Sequence, residues 1–293
     1  MKYFVLPDEN LKLNTSSRST LRGSFISLSD GITHYELAGP EDGEVVVLVG
    51  GLTVPLLYWD RIAEQLREAG FRTLVYSSYG RGYSDRVRER YDSALFVRQL
   101  SELILALNLG RKYHVVGASM GALIAMGHSI LNTSAVATLT VAGPAGLSEK
   151  PAALRWLQSS ERLFSLFAKY LGKKWLKKHE ANDLEDRTHA PELSAMLSDA
   201  FRYEGSTHAV FDTLLNFGLF MQQPLYKSIG DSPIPTMLIW GSKDRVTPIT
   251  HINDAKTLLQ PQQCHVLDCG HMVPFERTHF VAQKIVSFLA VGK

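Results

Sequence analysis

Three side chains in this sequence have the types and the order that nucleophilic chemistry needs: a serine, then an acid, then a histidine. Ser119 sits in Gly117-Ala118-Ser119-Met120-Gly121. A serine hydroxyl is a poor nucleophile until a base takes its proton, and the base must be held in one tautomer by a third group. In open parallel sheets such groups gather in loops at the carboxyl ends of strands, so the partners are sought after later strands. Asp244 lies in Gly241-Ser242-Lys243-Asp244-Arg245-Val246-Thr247-Pro248, past an apolar run at 237–240. His271 lies in Asp268-Cys269-Gly270-His271-Met272-Val273-Pro274, past a run at 264–267. With ten histidines in the chain, a histidine alone carries little weight. His271 is set apart because it follows a glycine, caps a strand and lies downstream of Asp244. Asp268 is the rival acid. Asp85 and Glu276 read first as solvated loop acids.

The segment around Ser119 supplies its own argument. A β-type run at 113–116 precedes it and an apolar helical run at 123–130 follows it. Between them the serine must turn tightly with unfavourable backbone angles, and side chains two positions away on either side would strike the neighbouring strand and helix. Both of those positions are glycine. The helix start beneath the hydroxyl favours developing negative charge. An acyl-transfer site also needs hydrogen-bond donors for an oxyanion. The N–H of Met120 is one. The second is expected from the loop after 45–49, where Gly50-Gly51 lets the backbone come close to a ligand. Leu52 is assigned that role, with Thr53 as the neighbour it could be confused with, and Gly51 is expected against the substrate.

The elements that must position these groups follow from periodicity. A hairpin is expected around Ser29-Asp30-Gly31, followed by strands at 45–49, 72–76, 113–116 and 135–141 alternating with helices at 58–69, 93–109 and 123–130. Strands and helices in alternation predict an α/β fold, a mostly parallel central sheet flanked by helices. The alternation stops near residue 146. Helical material fills 147–230, and strand and helix patterns resume at 236–240, 249–259, 264–267 and 274–289. The expected organisation is a core of 1–146 and 231–293 with a helical cap, 147–230, inserted between two parts of the sheet. Phe164 and Phe217, together with Leu163, Phe167 and Phe220, are candidates to line a pocket under that cap. Residues 1–22 read as an irregular arm packed on the domain edge.

Composition excludes several classes. The chain has 293 residues, 45% hydrophobic and 20% charged, with a formal net charge of +2. That is ordinary for a globular protein and gives no global attraction for nucleic acid. No apolar run approaches the ~20 residues of a spanning helix. Cys264 and Cys269 form neither a disulfide framework nor a zinc pattern, so reduced thiols in a cytoplasmic protein are expected, with no metal and no cofactor.

Over about residues 24–290 the chain resembles the cap-containing α/β-hydrolase superfamily. The resemblance rests on the Gly117–Gly121 pentapeptide, on Trp240-Gly241-Ser242-Lys243-Asp244-Arg245-Val246-Thr247-Pro248, on Gly270-His271-Met272-Val273-Pro274-Phe275-Glu276, and on Tyr79-Gly80-Arg81-Gly82-Tyr83-Ser84-Asp85. It implies an α/β-hydrolase fold with Ser119 as nucleophile, Asp244 as acid, His271 as base, and Leu52 with Met120 as oxyanion donors. One departure is visible: Gly50 stands where the family usually has a histidine that braces this loop. A serine at the elbow argues against the dehalogenase and epoxide hydrolase branches, which need a carboxylate there.

The expected activity is hydrolysis of small carboxylic esters or acyl substrates through an acyl-enzyme. Two alternatives stand beside it: a carbon–carbon bond hydrolase of the meta-cleavage-product type, and a non-catalytic ligand receptor on the same fold. A basic run, Arg162, Lys169, Lys173, Lys174, Lys177 and Lys178, reads first as a solvated helix face. Its sharper reading is a docking surface at Lys173 and Lys177 for an anionic partner, such as an acyl carrier protein or an acidic lipid.

Overall fold

A computed structural model describes residues 1–109 and 112–290, apart from the side chains at 179, 181 and 182. Its centre is an eight-stranded sheet in the order β1-β2-β4-β3-β5-β6-β7-β8. The strands are β1 (Ser24–Ser27), β2 (Ile32–Ala38), β3 (Val45–Val49), β4 (Arg72–Tyr76), β5 (Tyr113–Ala118), β6 (Val136–Ala142), β7 (Thr236–Gly241) and β8 (Gln263–Leu267). β2 runs antiparallel to β1 and β4, and every other pairing is parallel. The expected hairpin and the mostly parallel sheet are both present.

β3 shows why the sequence folds this way. All five of its residues are buried. Alternation along the strand sends Val45, Val47 and Val49 to one face of the sheet and Val46 and Leu48 to the other, where two separate apolar cores form. Burying each such side chain contributes about 1.5–3 kcal/mol. Helices cover both faces. After the short α1 (Thr15–Arg18), α2 (Asp60–Glu68) packs on one face, and α3 (Ser93–Ala106) and α4 (Met120–Leu131) pack on the other.

Four helices then follow without a strand: α5 (Ala152–Gln158), α6 (Glu161–Asp183), α7 (Ala190–Ala200) and α8 (Ser206–Asn216). The apolar faces of α6 and α8 meet in a third core built on Phe164, Ala168, Val210, Phe211 and Leu214. Next comes α9 (Gln223–Gly230), which packs against α4 and the later α10 (Ile252–Leu259) and gives Tyr226 and Ile229 to the sheet core. The last two helices are α11 (Val273–Glu276) and α12 (Thr278–Leu289).

The N-terminal arm lies against this helical layer. Buried Glu9 accepts the backbone N–H groups of Leu6, Gly205 and Thr207, which ties the arm to the start of α8. No helix among the described residues is long and apolar enough to cross a membrane.

Candidate active site

Ser119 occupies the turn between β5 and α4 with φ 54° and ψ −120°, a left-handed conformation rare for a residue with a side chain. Such strain costs on the order of 1–3 kcal/mol and persists only where the surroundings over-determine it. Here the serine N–H donates to Ala142 O at 3.0 Å, and its carbonyl accepts from Ala122 N at 3.1 Å and Ala145 N at 3.3 Å. The flanking glycines are required. A Cβ at Gly121 would lie 2.2 Å from Val49 O, and one at Gly117 would lie 2.4 Å from Gly121 O.

The loops after β7 and β8 bring Asp244 and His271 to this hydroxyl. Ser119 Oγ is 2.9 Å from His271 Nε2, and His271 Nδ1 is 2.8 Å from Asp244 Oδ2. An ionised carboxylate can only accept, so Nδ1 carries the ring proton and Nε2 is free to accept from the serine hydroxyl. The other carboxylate oxygen, Asp244 Oδ1, accepts the N–H groups of Val246 at 2.9 Å and Thr247 at 2.8 Å. Burial pushes the Asp244 carboxyl up, but the facing His271 and the hydrogen bonds from His271 and Thr247 hold it below the usual range. Burial likewise pulls the His271 imidazole down, but the charge and hydrogen bond of Asp244 together with the charges of Asp183 and Glu276 outweigh it, leaving the ring above its ordinary value.

The rival acids are elsewhere. Asp268 is exposed and pairs with Lys243. Asp85 pairs with Arg18 and accepts the N–H of Ile32. Glu276 is not solvated as expected. It is buried and accepts from the N–H groups of Gly270, Glu185 and Asp186, tying the histidine loop to the segment after α6.

A cavity of about 530 Å³ opens above Ser119 and His271. Gly51, Leu52 and Met120 form its floor beside the serine, and Phe164, Phe167 and Phe220 are among its walls. A Cβ at Gly51 would lie 3.4 Å from that of Ser119, so the loop runs directly alongside the hydroxyl. Among the described residues no protein acceptor takes the N–H of Leu52, Thr53 or Met120. Phe217 does not reach the cavity. It is the residue that caps the end of α8, just before the chain leaves for α9, and its ring packs 5.6 Å from that of Phe96 in the sheet core. Leu163, on the outer face of α6, is 43% exposed.

Three further site residues were given no role by the sequence, although two of them, Thr247 and Arg81, lie inside motifs quoted above. The Thr247 hydroxyl lies 2.8 Å from Asp244 Oδ2 and 3.1 Å from Gly143 O. Asp183, at the end of α6, accepts the N–H groups of His271 and Met272 with its carbonyl and places its side chain in the cavity wall. Burial pushes that carboxyl up to about 6. Arg81 sits behind the loop that holds Leu52. The basic run on α6 is less uniform than its sequence. Lys173 pairs with Asp8, and Lys173, Lys177 and Arg202 share a second pocket of about 240 Å³ with Asp8, Glu180 and Asp183. Three carboxylates among those cations leave no single-sign surface there.

No group of three or more side chains able to hold a metal ion occurs among the described residues.

Comparison with known proteins agrees with this fold. A family model described as the alpha/beta hydrolase fold matches residues 44–278. A 2-hydroxy-6-oxononadienedioate/2-hydroxy-6-oxononatrienedioate hydrolase of Paraburkholderia xenovorans (strain LB400) is 26% identical over 277 residues, covering 88% of this chain and 90% of that protein. A 2-hydroxy-6-oxo-6-phenylhexa-2,4-dienoate hydrolase of Comamonas testosteroni is also 26% identical, over 273 residues, covering 89% of this chain and 92% of that protein. Among solved structures, a thermophilic esterase from Thermogutta terrifontis superposes with a TM-score of 0.78 at 20% identity, covering 93% of this chain and 99% of that one. The chain belongs to the α/β-hydrolase family.

Proposed function

We propose that the protein is a serine hydrolase that cleaves uncharged carboxylic esters through an acyl-enzyme. The observation that carries this is the hydrogen-bonded chain Ser119 Oγ–His271 Nε2, His271 Nδ1–Asp244 Oδ2 on the floor of an apolar cavity. In this reading Ser119 Oγ attacks the ester carbonyl while His271 Nε2 takes its proton. The carbonyl oxygen becomes an oxyanion held by the N–H groups of Leu52 and Met120. Collapse of the tetrahedral intermediate expels the alcohol, which receives the proton from His271. Water, deprotonated by the same nitrogen, then attacks the acyl-serine, and the acid leaves with Ser119 reprotonated. Helices α5 to α8 act as the cap, and Gly51 and Phe164 contact the acyl part.

An uncharged substrate is favoured by the cavity wall. Among its described lining residues there is no lysine or arginine, and Asp183 contributes a carboxylate. A substrate carboxylate would lose water there without gaining a cation.

The carbon–carbon hydrolase reading is supported by a different observation: relatives named for dienoate substrates match 88–90% of the chain. Its chemistry uses the same three side chains. Purified protein assayed against 4-nitrophenyl esters of graded chain length and against a 2-hydroxy-6-oxo-dienoate separates the two. Ester turnover is expected to dominate, and preferential cleavage of the dienoate reverses the assignment. Ser119→Ala is expected to abolish both ester turnover and labelling by a fluorophosphonate. Labelling that survives this substitution sinks the mechanism.

A further inference from the structure

Arg81 is a sealed guanidinium, 2% exposed, with no carboxylate among its hydrogen-bond or ion-pair partners in the described residues. Its Nε donates to Leu52 O at 2.8 Å, Nη1 to Tyr79 O at 2.9 Å and Nη2 to Thr213 Oγ1 at 2.8 Å. The cation also lies over the rings of Phe96, at 5.2 Å, and Tyr91, at 6.0 Å. Burial pushes its pKa down to about 9, so it stays charged at neutral pH. A buried charge that no carboxylate hydrogen-bonds, with Asp212 acting on it only through space, is expensive, and a neutral side chain would pack there at lower cost. The sequence nonetheless builds a dedicated slot for it. Gly80 and Gly82, on either side, have φ of +80° and +47°. A Cβ at Gly80 would lie 2.4 Å from Ala209 Cβ of α8, and one at Gly82 would lie 2.9 Å from Pro55 Cβ. The Gly-Arg-Gly tip is therefore wedged between the cap helix and the loop that follows β3.

That loop is the one that runs beside Ser119. Gly50 and Gly51 bring no side chains with which to brace it from within. Leu52 and Thr53 line the cavity, whereas Arg81 does not, so the guanidinium grips the loop from behind. Every peptide bond described is trans. Holding Leu52 O therefore fixes the whole Leu52–Thr53 peptide plane, with the Thr53 N–H on its opposite edge, and restrains the adjoining Gly51–Leu52 plane. At the far end of the fork, Thr213 donates its own proton to Ala209 O at 2.7 Å, which leaves its lone pair for Arg81. Two donors of one rigid planar group thus tie the cap helix to the loop, and the third, on Tyr79 O, fixes the group in place.

We propose that Arg81 is a positioning residue for the reaction: it holds the oxyanion-binding loop through Leu52 O and registers that loop to the cap through Thr213 Oγ1. The proposal rests on the Ser119 reading above. It predicts a cost in the transition state, where the oxyanion exists, and little cost in binding the ground-state ester.

The test uses Arg81→Lys, Arg81→Met and Thr213→Val. It reads kcat and KM on 4-nitrophenyl butyrate, affinity for an alkyl boronic acid that forms a tetrahedral adduct at the serine, and thermal melting. Arg81→Lys keeps the charge and loses the fork. It is expected to lower kcat about 10–100-fold, just under the loss of an oxyanion donor itself, with KM changed by less than about threefold. Boronate affinity should fall in parallel. Thr213→Val cuts only the link to the cap and is expected to lower kcat by a smaller factor in a fully folded protein. Should Arg81→Met fail to fold, the other two variants decide. Folded Arg81→Lys with kcat within about twofold of wild type, or with a lower melting temperature but unchanged boronate affinity, overturns the proposal. Ester turnover that survives Ser119→Ala would instead overturn the reading beneath it.

Discussion

Thr247 Oγ1 lies 2.8 Å from Asp244 Oδ2, the same carboxylate oxygen that His271 Nδ1 meets at 2.8 Å. The hydroxyl has one proton and two acceptors in reach, this oxygen and Gly143 O at 3.1 Å. Given to Asp244, it helps hold the carboxylate in the plane of the imidazole. Thr247→Val keeps the shape and the backbone N–H on Oδ1 and removes only that donor. A hydrogen bond to a charged group is worth about 1.5–3 kcal/mol, and part of it is replaced by relaxation. We expect kcat to fall about tenfold with KM little changed. Wild-type turnover in Thr247→Val would show that the two backbone N–H groups suffice.

The ionisation of His271 sets the acid limb of the pH profile. Burial draws the imidazole down, and the charge and hydrogen bond of Asp244, helped by the Asp183 and Glu276 charges, together raise it by more, so the net shift is upward. The base works only when neutral. Activity is therefore lost as pH falls through a value above the ordinary histidine range near 6.5. In Asp244→Asn the largest raising charge is gone and burial remains, so the residual activity, lower by about 10⁴, should have its limb at lower pH. A wild-type kcat/KM profile with its acid midpoint below 6.5 contradicts this electrostatic arrangement.

The Ser119, Asp244 and His271 positions were legible because each is bound to a local pattern: a glycine pair that sterics demand, or a turn directly after an apolar strand. The sheet was legible for the same reason, since β3 is a run of branched residues that only a doubly covered strand accommodates. Phe217 was not. Helical spacing in the 207–221 segment shows that an apolar face exists, but not whether it meets the cap or the sheet, and the exit toward α9 turns Phe217 to the sheet. Glu276 and Asp183 were missed because their work is done through contacts between segments 90 or so residues apart, and local sequence carries no trace of such pairings.

The elbow glycines give a steric prediction. An added methyl at Gly121 meets two backbone oxygens, Val49 O at 2.2 Å and Gly50 O at 2.5 Å, and neither can move without disturbing the strand or the oxyanion loop. At Gly127, further along the same helix, the methyl meets only Val97 Cγ2, at 3.0 Å, the end of a side chain. Gly121→Ala should cost more than about 3 kcal/mol in urea unfolding or yield no folded protein. Gly127→Ala should stay within about 1 kcal/mol of wild type, because the helix propensity of alanine offsets the tight contact. Equal effects would mean that the strand and helix are not packed as closely as Gly121 requires.

Asp183 gives a pH-dependent prediction of stability. Burial in the cavity wall raises its carboxyl from 3.8 to about 6; the facing His271 partly opposes this, and Glu180 and Asp244 add to it. A group raised on folding contributes stability that is complete below its unfolded value and is lost as pH rises through its folded value. Asp183 is thus neutral and harmless at pH 4, and at pH 8 a buried charge that its surroundings only partly offset. Asp183→Asn removes the charge and keeps the size. It should raise unfolding free energy at pH 8 by up to about 3 kcal/mol, the equivalent of a two-unit shift, and the gain should vanish by pH 4. The same substitution takes away a negative charge that helps hold His271 protonated, so the acid limb of kcat/KM should move down in pH alongside the gain in stability. A stability difference between the two proteins that is the same at pH 4 and pH 8 would mean that solvent or the cations of the neighbouring pocket offset the burial of the Asp183 charge.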